Sequence, residues 1–402
     1  MLPRLLEPRL RRLLEALPAV FLSGPRQVGK TTLALKLARE WGFDYRTLDD
    51  PTELAAARGD PKGYVENLSL PAVLDEVQRA PELFLPLKLR LDREGRPKAL
   101  LLTGSANVLL LPRVADALVG RMAVARLLPL AQAELEGGRG DFPGLLLALA
   151  QGQTPPPPPP LGDLRERVVR GGFPRAALGP DPGEWFRAYL DTLLSRDVRE
   201  LTQIERLHQL PGLLALLAAR QGGLLNLAAL SREVGIPHPT LRRYLSLLKA
   251  LYLLVELPPW SANLGKRLVK APKVYLVDSG LAAHLLGHPQ VRLDGALWGH
   301  LLEAFAVGEV LRLQAAHEGF RTYHYREAGG LEADLLLEFP QGVVVLEVKA
   351  KATLGFQDFA PLERIQNRLG ERFLLGGILY GGEKPVAFGK GLMALPLSYL
   401  WL

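Results

Sequence analysis

The sequence contains no cysteine, which excludes disulfides and thiolate-ligated zinc and suits a reducing cytoplasm. Methionine is scarce, at three residues, while proline is plentiful at 33; both lean towards a heat-adapted source. The opening MLPRLLEPRLRRLLEALPAVFL is broken by charge and proline, so it reads neither as a cleaved signal nor as a spanning helix. A soluble cytoplasmic protein is the expectation. The net charge of +7 comes from 36 arginines and 13 lysines against 42 acidic residues. Arginine pairs bidentately with phosphate, so this balance suits a polyanionic partner, although heat-adapted sequences favour arginine too.

At 402 residues the chain is long enough for two or three domains, each with its own core. Residues 20–135 alternate short apolar runs with amphipathic segments, the rhythm of an α/β domain with a mostly parallel sheet. The run QTPPPPPP, ending at Pro160, predicts an extended polyproline segment on a surface loop. From Leu164 to Leu257 the pattern turns helical, and NLAALSREVGIPHPTLRRYLSLLKAL has helix-turn-helix form. Beyond KVYLVDSG an α/β pattern returns, with a long amphipathic helix near WGHLLEAFAVGEVLRL and strands at FRTYHYRE, LEADLLLEF and GVVVLEVKA.

The stretch GPRQVGKTT, Gly24, Pro25, Arg26, Gln27, Val28, Gly29, Lys30, Thr31 and Thr32, satisfies GxxxxGK[ST] between a strand-like AVFL and a helical run. Such a loop wraps ATP phosphates with backbone N–H groups and offers them a helix N-terminus. Lys30 should reach the β- and γ-phosphates, and Thr31 should place its hydroxyl on Mg2+. Downstream, PAVLDEVQ ends an apolar strand in Asp75, a magnesium-shell carboxylate, and Glu76, a base that polarises water. ALLLTGSAN offers Ser105 as a γ-phosphate sensor, with Thr103 or Asn107 behind it; a hydroxyl there could equally cap a helix. In ALVGRMAVARLLPL, Arg121 stands where ring ATPases present an arginine finger to a neighbouring subunit, or is equally a solvated loop arginine, with Arg113 in reserve.

With these motifs and GGFP, YLDTLLSRDV and EADLLLE…VVLEVK in order, the sequence resembles the bacterial and archaeal ATP-binding proteins that join an AAA-type P-loop domain to a domain of unknown function numbered 4143. The resemblance covers nearly the whole chain. It implies an α/β fold in four parts: an AAA-type P-loop NTPase core (1–135), a helical lid with the polyproline insert (136–205), a winged-helix-like middle (206–262) and a C-terminal α/β domain similar to the PD-(D/E)xK nucleases (263–402). It implies no settled substrate.

In the last part, strands flanking FPQG bring Asp334 towards Glu347, and alternation puts Glu347 and Lys349 on one face. Two carboxylates there could hold Mg2+ while Lys349 activates a water near a phosphodiester. Glu303 matches the helical acidic position of the resembled fold and could complete the metal shell. The bland alternative is a hairpin with ordinary surface charges. In IPHPTLRRYLSLLKAL, Arg242, Arg243 and Lys249 flank an apolar stripe of Leu241, Leu245 and Leu248, as in a DNA-recognition helix or any packing module of that shape. The leading expectation is an ATP-hydrolysing ring, a homo-oligomer of hexameric form, that translocates on or remodels duplex or branched DNA and whose C-terminal domain binds or cuts it. The alternative is a nucleotide-dependent switch or scaffold that binds a protein partner.

Overall fold

The computed structural model describes residues 2–105, 122–197, 207–262, 271–327 and 329–402. It divides into two compact units, one of Arg4–Leu128 with Leu248–Leu253, the other chiefly of Pro129–Leu247 and Leu254–Leu402. The segments expected as lid and nuclease-like parts fall in the second unit, and so does the expected winged-helix-like segment except for Leu248–Leu253. Among the described residues no helix is long and apolar enough to cross a membrane.

The first unit opens with helix α1 (Glu7–Ala16) and strand β1 (Ala19–Ser23), followed by α2 (Lys30–Trp41) and β2 (Asp44–Thr47). Strands β3 (Ala72–Asp75), β4 (Leu100–Gly104) and β5 (Met122–Arg126) complete a five-stranded sheet of order β2-β3-β4-β1-β5. Every pairing is parallel, as the α/β rhythm requires. AVFLS and AVLD are buried along their whole length, because helices cover both faces of such a sheet and leave no polar side to alternate towards. Phe21, Leu74, Leu100 and Leu102 pack with Phe84, Leu87 and Leu91 of the helix Phe84–Glu94. Since β1 pairs with β4 and β5 while the chain next builds β2 at the far edge, its carboxyl end opens at a switch in strand order.

Helices α3 (Leu227–Val234) and α4 (His238–Ala250), of the second unit up to Leu247, are joined by Gly235, Ile236 and Pro237, as the helix-turn-helix pattern predicts. Asn226 caps the first helix by accepting from Ala229 N at 3.0 Å, and Gly235 ends it in a left-handed conformation. Helix α4 begins at His238, two residues earlier than a start after Pro239, because proline is tolerated in a first turn. An antiparallel pair follows, β6 (Leu254–Leu257) with β7 (Lys273–Leu276).

The remaining chain forms α5 (Gly295–Ala316), β8 (Arg321–Arg326), β9 (Glu332–Phe339), β10 (Gly342–Lys349), α6 (Phe356–Leu369), β11 (Phe373–Tyr380), β12 (Val386–Ala387) and β13 (Leu392–Pro396). The six strands form one mixed sheet of order β12-β13-β11-β10-β9-β8. Helix α5 is a correction to the amphipathic pattern. It packs on β8, β9 and β10 and also on the helices Ser279–Leu285 and Leu164–Arg170, so even Glu309 and Arg312 are buried.

Those charges survive burial because they are paired. Arg312 meets Asp278 at 3.0 Å and also Glu309. Glu309 accepts from Gln132 N, and Asp278 from Gly172 N, each at 2.7 Å. Gly171 and Gly172 of GGFP approach so closely that added Cβ atoms would lie 2.0 Å from Asp278 Oδ1 and 2.2 Å from Leu130 O. The polyproline run is half exposed and tied down by the last residues: Tyr399 OH donates to Pro156 O at 2.7 Å and Trp401 Nε1 to Pro160 O at 3.3 Å.

Candidate functional site

Gly24–Thr31 connects the carboxyl end of β1 to the start of α2. Gly24 has φ +150°, and a Cβ there would stand 2.0 Å from Leu127 O, so only glycine lets the loop lie against that backbone. Gln27 and Gly29 are also left-handed, at φ +61° and +98°, which turns the chain sharply ahead of the helix N-terminus. Arg4 braces the loop from outside, donating to Val28 O at 2.6 Å and Leu128 O at 2.7 Å. The Lys30 ammonium is buried and donates to Gly24 O at 3.0 Å and Pro25 O at 2.7 Å.

Thr31 Oγ1 reaches Asp75 at 3.0 Å, bringing the start of α2 to the end of β3. Two further hydroxyls fix that carboxylate: Tyr45 OH donates to Oδ2 at 2.9 Å, and Thr103 donates to Oδ1. Burial first, then the Asp75 charge and its hydrogen bond, raises the Tyr45 phenol well above its ordinary range, so it stays a donor. Glu76 has left-handed φ +58°, a costly conformation for a side-chain-bearing residue and one concentrated at functional positions. Its N–H donates to Thr103 Oγ1 at 3.2 Å, and its carboxylate is met by Gln78 Nε2 and, at 3.3 Å, by Ser105 Oγ. Gln78 also donates to Ser105 at 3.0 Å.

The donor set fits ATP with Mg2+. A glycine cradle leads into a helix N-terminus, a lysine stands inside it, and a hydroxyl and carboxylate, both hard oxygen donors, meet beside it. The structure brings together Gly24–Thr32, Asp75, Glu76, Thr103 and Ser105; Arg121, Arg113 and Asn107 lie outside the described residues. Tyr45, Gln78 and Arg4 were missed. No local pattern in FDYRTLDD marks Tyr45, the second residue of β2, as part of the site.

The C-terminal cluster lies on the hairpin β9–β10, whose two-residue turn falls at Pro340 and Gln341 within FPQG. Leu346 faces Leu335, so the next step sets Glu347 across from Asp334. Lys349 Nζ pairs with Glu347 at 2.8 Å on the same face. Asp334 Oδ2 accepts from Val348 N at 3.0 Å. Glu303 joins from α5, but the group closes around an unexpected residue, Lys273 of β7. Its ammonium lies 2.8 Å from Glu303 and 3.0 Å from Asp334, and Tyr275 OH donates to Glu303 at 2.7 Å.

Burial, then the Asp334 charge, raises the Glu303 and Glu347 carboxyls to about 7. Burial would lower the Lys273 pKa, but Asp334 and Glu303 outweigh it and hold the ammonium charged, well above its ordinary value. The expected three-carboxylate metal shell does not fit these side chains: a lysine stands between two of them, and among the described residues no group of three His, Cys, Asp or Glu could hold a metal ion. Arg242 and Arg243 are exposed on α4 around buried Leu241, Leu245 and Leu248, whereas Lys249 is half-buried.

Three family models match the chain: an AAA domain over residues 17–136, a domain of unknown function (DUF8612) over 161–292, and a domain of unknown function (DUF4143) over 298–400. The uncharacterized protein Rv2008c of Mycobacterium tuberculosis is 32% identical over 98% of this chain and 83% of its own length, as is the uncharacterized protein Mb2031c of Mycobacterium bovis. Among solved structures, the Walker-type ATPase paby2304 of Pyrococcus abyssi is 17% identical over 69% of this chain and 94% of its own, with a TM-score of 0.37. The Thermotoga maritima RuvB Holliday junction branch migration motor is 20% identical over 63% and 89%, with a TM-score of 0.31.

Proposed function

This chain belongs to the family of the mycobacterial proteins Rv2008c and Mb2031c, and on that premise we propose that it is an ATP-hydrolysing AAA-type motor that assembles as a ring and remodels DNA. The observation that carries the reading is the meeting of Thr31 Oγ1 with the Asp75 carboxylate at the mouth of the glycine loop, with Glu76 next in the chain.

In this reading the loop N–H groups and Lys30 hold the β- and γ-phosphates, while Thr31 and Asp75 hold Mg2+. When bound there, Mg2+ would supply neutralisation of the phosphate charge. Tyr45 and Thr103 keep Asp75 oriented, so the carboxylate need not reorganise as charge develops. Glu76, once released from Gln78 and Ser105, accepts the proton of the attacking water. Ser105 is then free to sense the γ-phosphate, and Arg121 of a neighbouring copy stabilises the transition-state charge.

The DNA part of the proposal is supported by the charge of +7 and by exposed Arg242 and Arg243 on the second helix of a helix-turn-helix pair. Lys249 would contribute as a phosphate contact at the rim. The C-terminal domain binds DNA in this scheme, and no cleavage step is assigned to it.

The test is the mass of the full chain in solution with ATP and a branched DNA. A ring-sized species that requires both supports the motor. A monomer under all conditions contradicts it and favours a nucleotide-dependent switch.

A further inference from the structure

Lys273 occupies the centre of the C-terminal cluster, and its surroundings are built rather than incidental. The residue is only 6% exposed, and Asp334 is 9% exposed. Lys273 and Tyr275, two apart on β7, both reach Glu303 Oε1. From the other side the backbone closes in: a Cβ on Gly222, at φ +73°, would lie 2.4 Å from the same Glu303 oxygen. Gly222 N is itself tied to Val274 O at 3.0 Å. Lys273, Glu303 and Asp334 line one wall of a cleft of about 410 Å³ that is also lined by Arg220, His300, Arg326 and Glu332.

An ammonium offers three N–H donors and no acceptor, and it can satisfy oxygens of two carboxylates at once. A divalent cation set between Glu303 and Asp334 would face that ammonium at ion-pair distance, where like charges repel strongly in a buried setting. The two cations are therefore alternatives.

We infer that Lys273 is the resident cation of this site, holding Glu303 and Asp334 together in place of a divalent metal. The inference rests on the placement of these side chains and not on the DNA reading; its test uses no DNA and can fail independently.

The experiment is Mn2+ titration of the nucleotide-free full chain, read by electron paramagnetic resonance and by the melting temperature. All samples carry Asp75→Asn to silence the phosphate-loop site. The chain with Lys273 should show no saturable Mn2+ site, and Lys273→Met should gain a single saturable one, with a melting temperature that rises with Mn2+. Adding Asp334→Asn should abolish that gain. A single saturable site in the chain with Lys273 intact, lost on Glu303→Gln or Asp334→Asn, would overturn the inference even if the Lys273→Met protein does not fold. A folded Lys273→Met protein that gains no Mn2+ site would overturn it as well.

Discussion

The two charged centres of this molecule solve one electrostatic problem in opposite ways. At the phosphate loop the lysine is drawn onto the carbonyls of Gly24 and Pro25, while the Asp75 carboxylate is met by neutral hydroxyls of Thr31, Tyr45 and Thr103. In the C-terminal cluster the lysine stands between the carboxylates themselves. A carboxylate dressed by hydroxyls keeps its charge available to an incoming cation. A carboxylate already paired with a buried ammonium does not. The first arrangement suits a site that binds and turns over a charged ligand, and the second suits one whose charges hold the fold.

That contrast is open to direct attack, and the buried network of the second unit should give the largest effect. Arg312→Met leaves Asp278 and Glu309 without their counter-ion and is expected to cost about 3–5 kcal/mol, measured by urea unfolding. A loss below about 1 kcal/mol would mean that this network is not structural. Lys30→Ala should do the reverse, lowering ATP turnover by about 100-fold or more while shifting stability by less than about 1 kcal/mol, in a coupled phosphate-release assay and a parallel melt.

Next in size is a pH effect confined to the cluster. Glu303 and Glu347 have folded pKa values of about 7, above their unfolded values, so the native state holds more protons between those limits. Stability from these groups is fullest below an unfolded carboxyl pKa of roughly 4.3 and is lost as pH rises through the folded pKa. Unfolding at pH 5 and 8 should therefore differ by about 1–3 kcal/mol through this term, and Glu303→Gln should shrink the difference. The smallest effect is Tyr45→Phe, which removes one hydrogen bond to Asp75 at a cost of about 1 kcal/mol. It should raise the Mg2+ concentration needed for half-maximal turnover a few-fold; an unchanged requirement would remove Tyr45 from the site.

The contrast also explains what the sequence made legible. A phosphate loop works through glycine φ values and a helix start, both written in consecutive residues, and Gly24–Thr32 formed the expected loop. The Asp334–Glu347 approach was legible for a similar reason, since FPQG fixes the hairpin and strand periodicity fixes the face. Lys273 and Tyr45 were not, because each reaches its partner across 61 and 30 residues and neither sits in a local pattern. Helix α5 was misjudged because an apolar run with Glu309 and Arg312 on it looks amphipathic until their partners Gln132 and Asp278 arrive from distant segments. The polyproline run, which lies outside helix and strand, gave no sign of its anchorage on Tyr399 and Trp401.

Steady-state ATP turnover by the full chain, with and without branched DNA across a range of salt, tests the coupling of the phosphate loop to DNA most directly. Turnover several-fold higher with DNA at low ionic strength, with the stimulation fading steeply as salt rises, is the predicted result. Turnover unchanged by DNA at every salt concentration would contradict it.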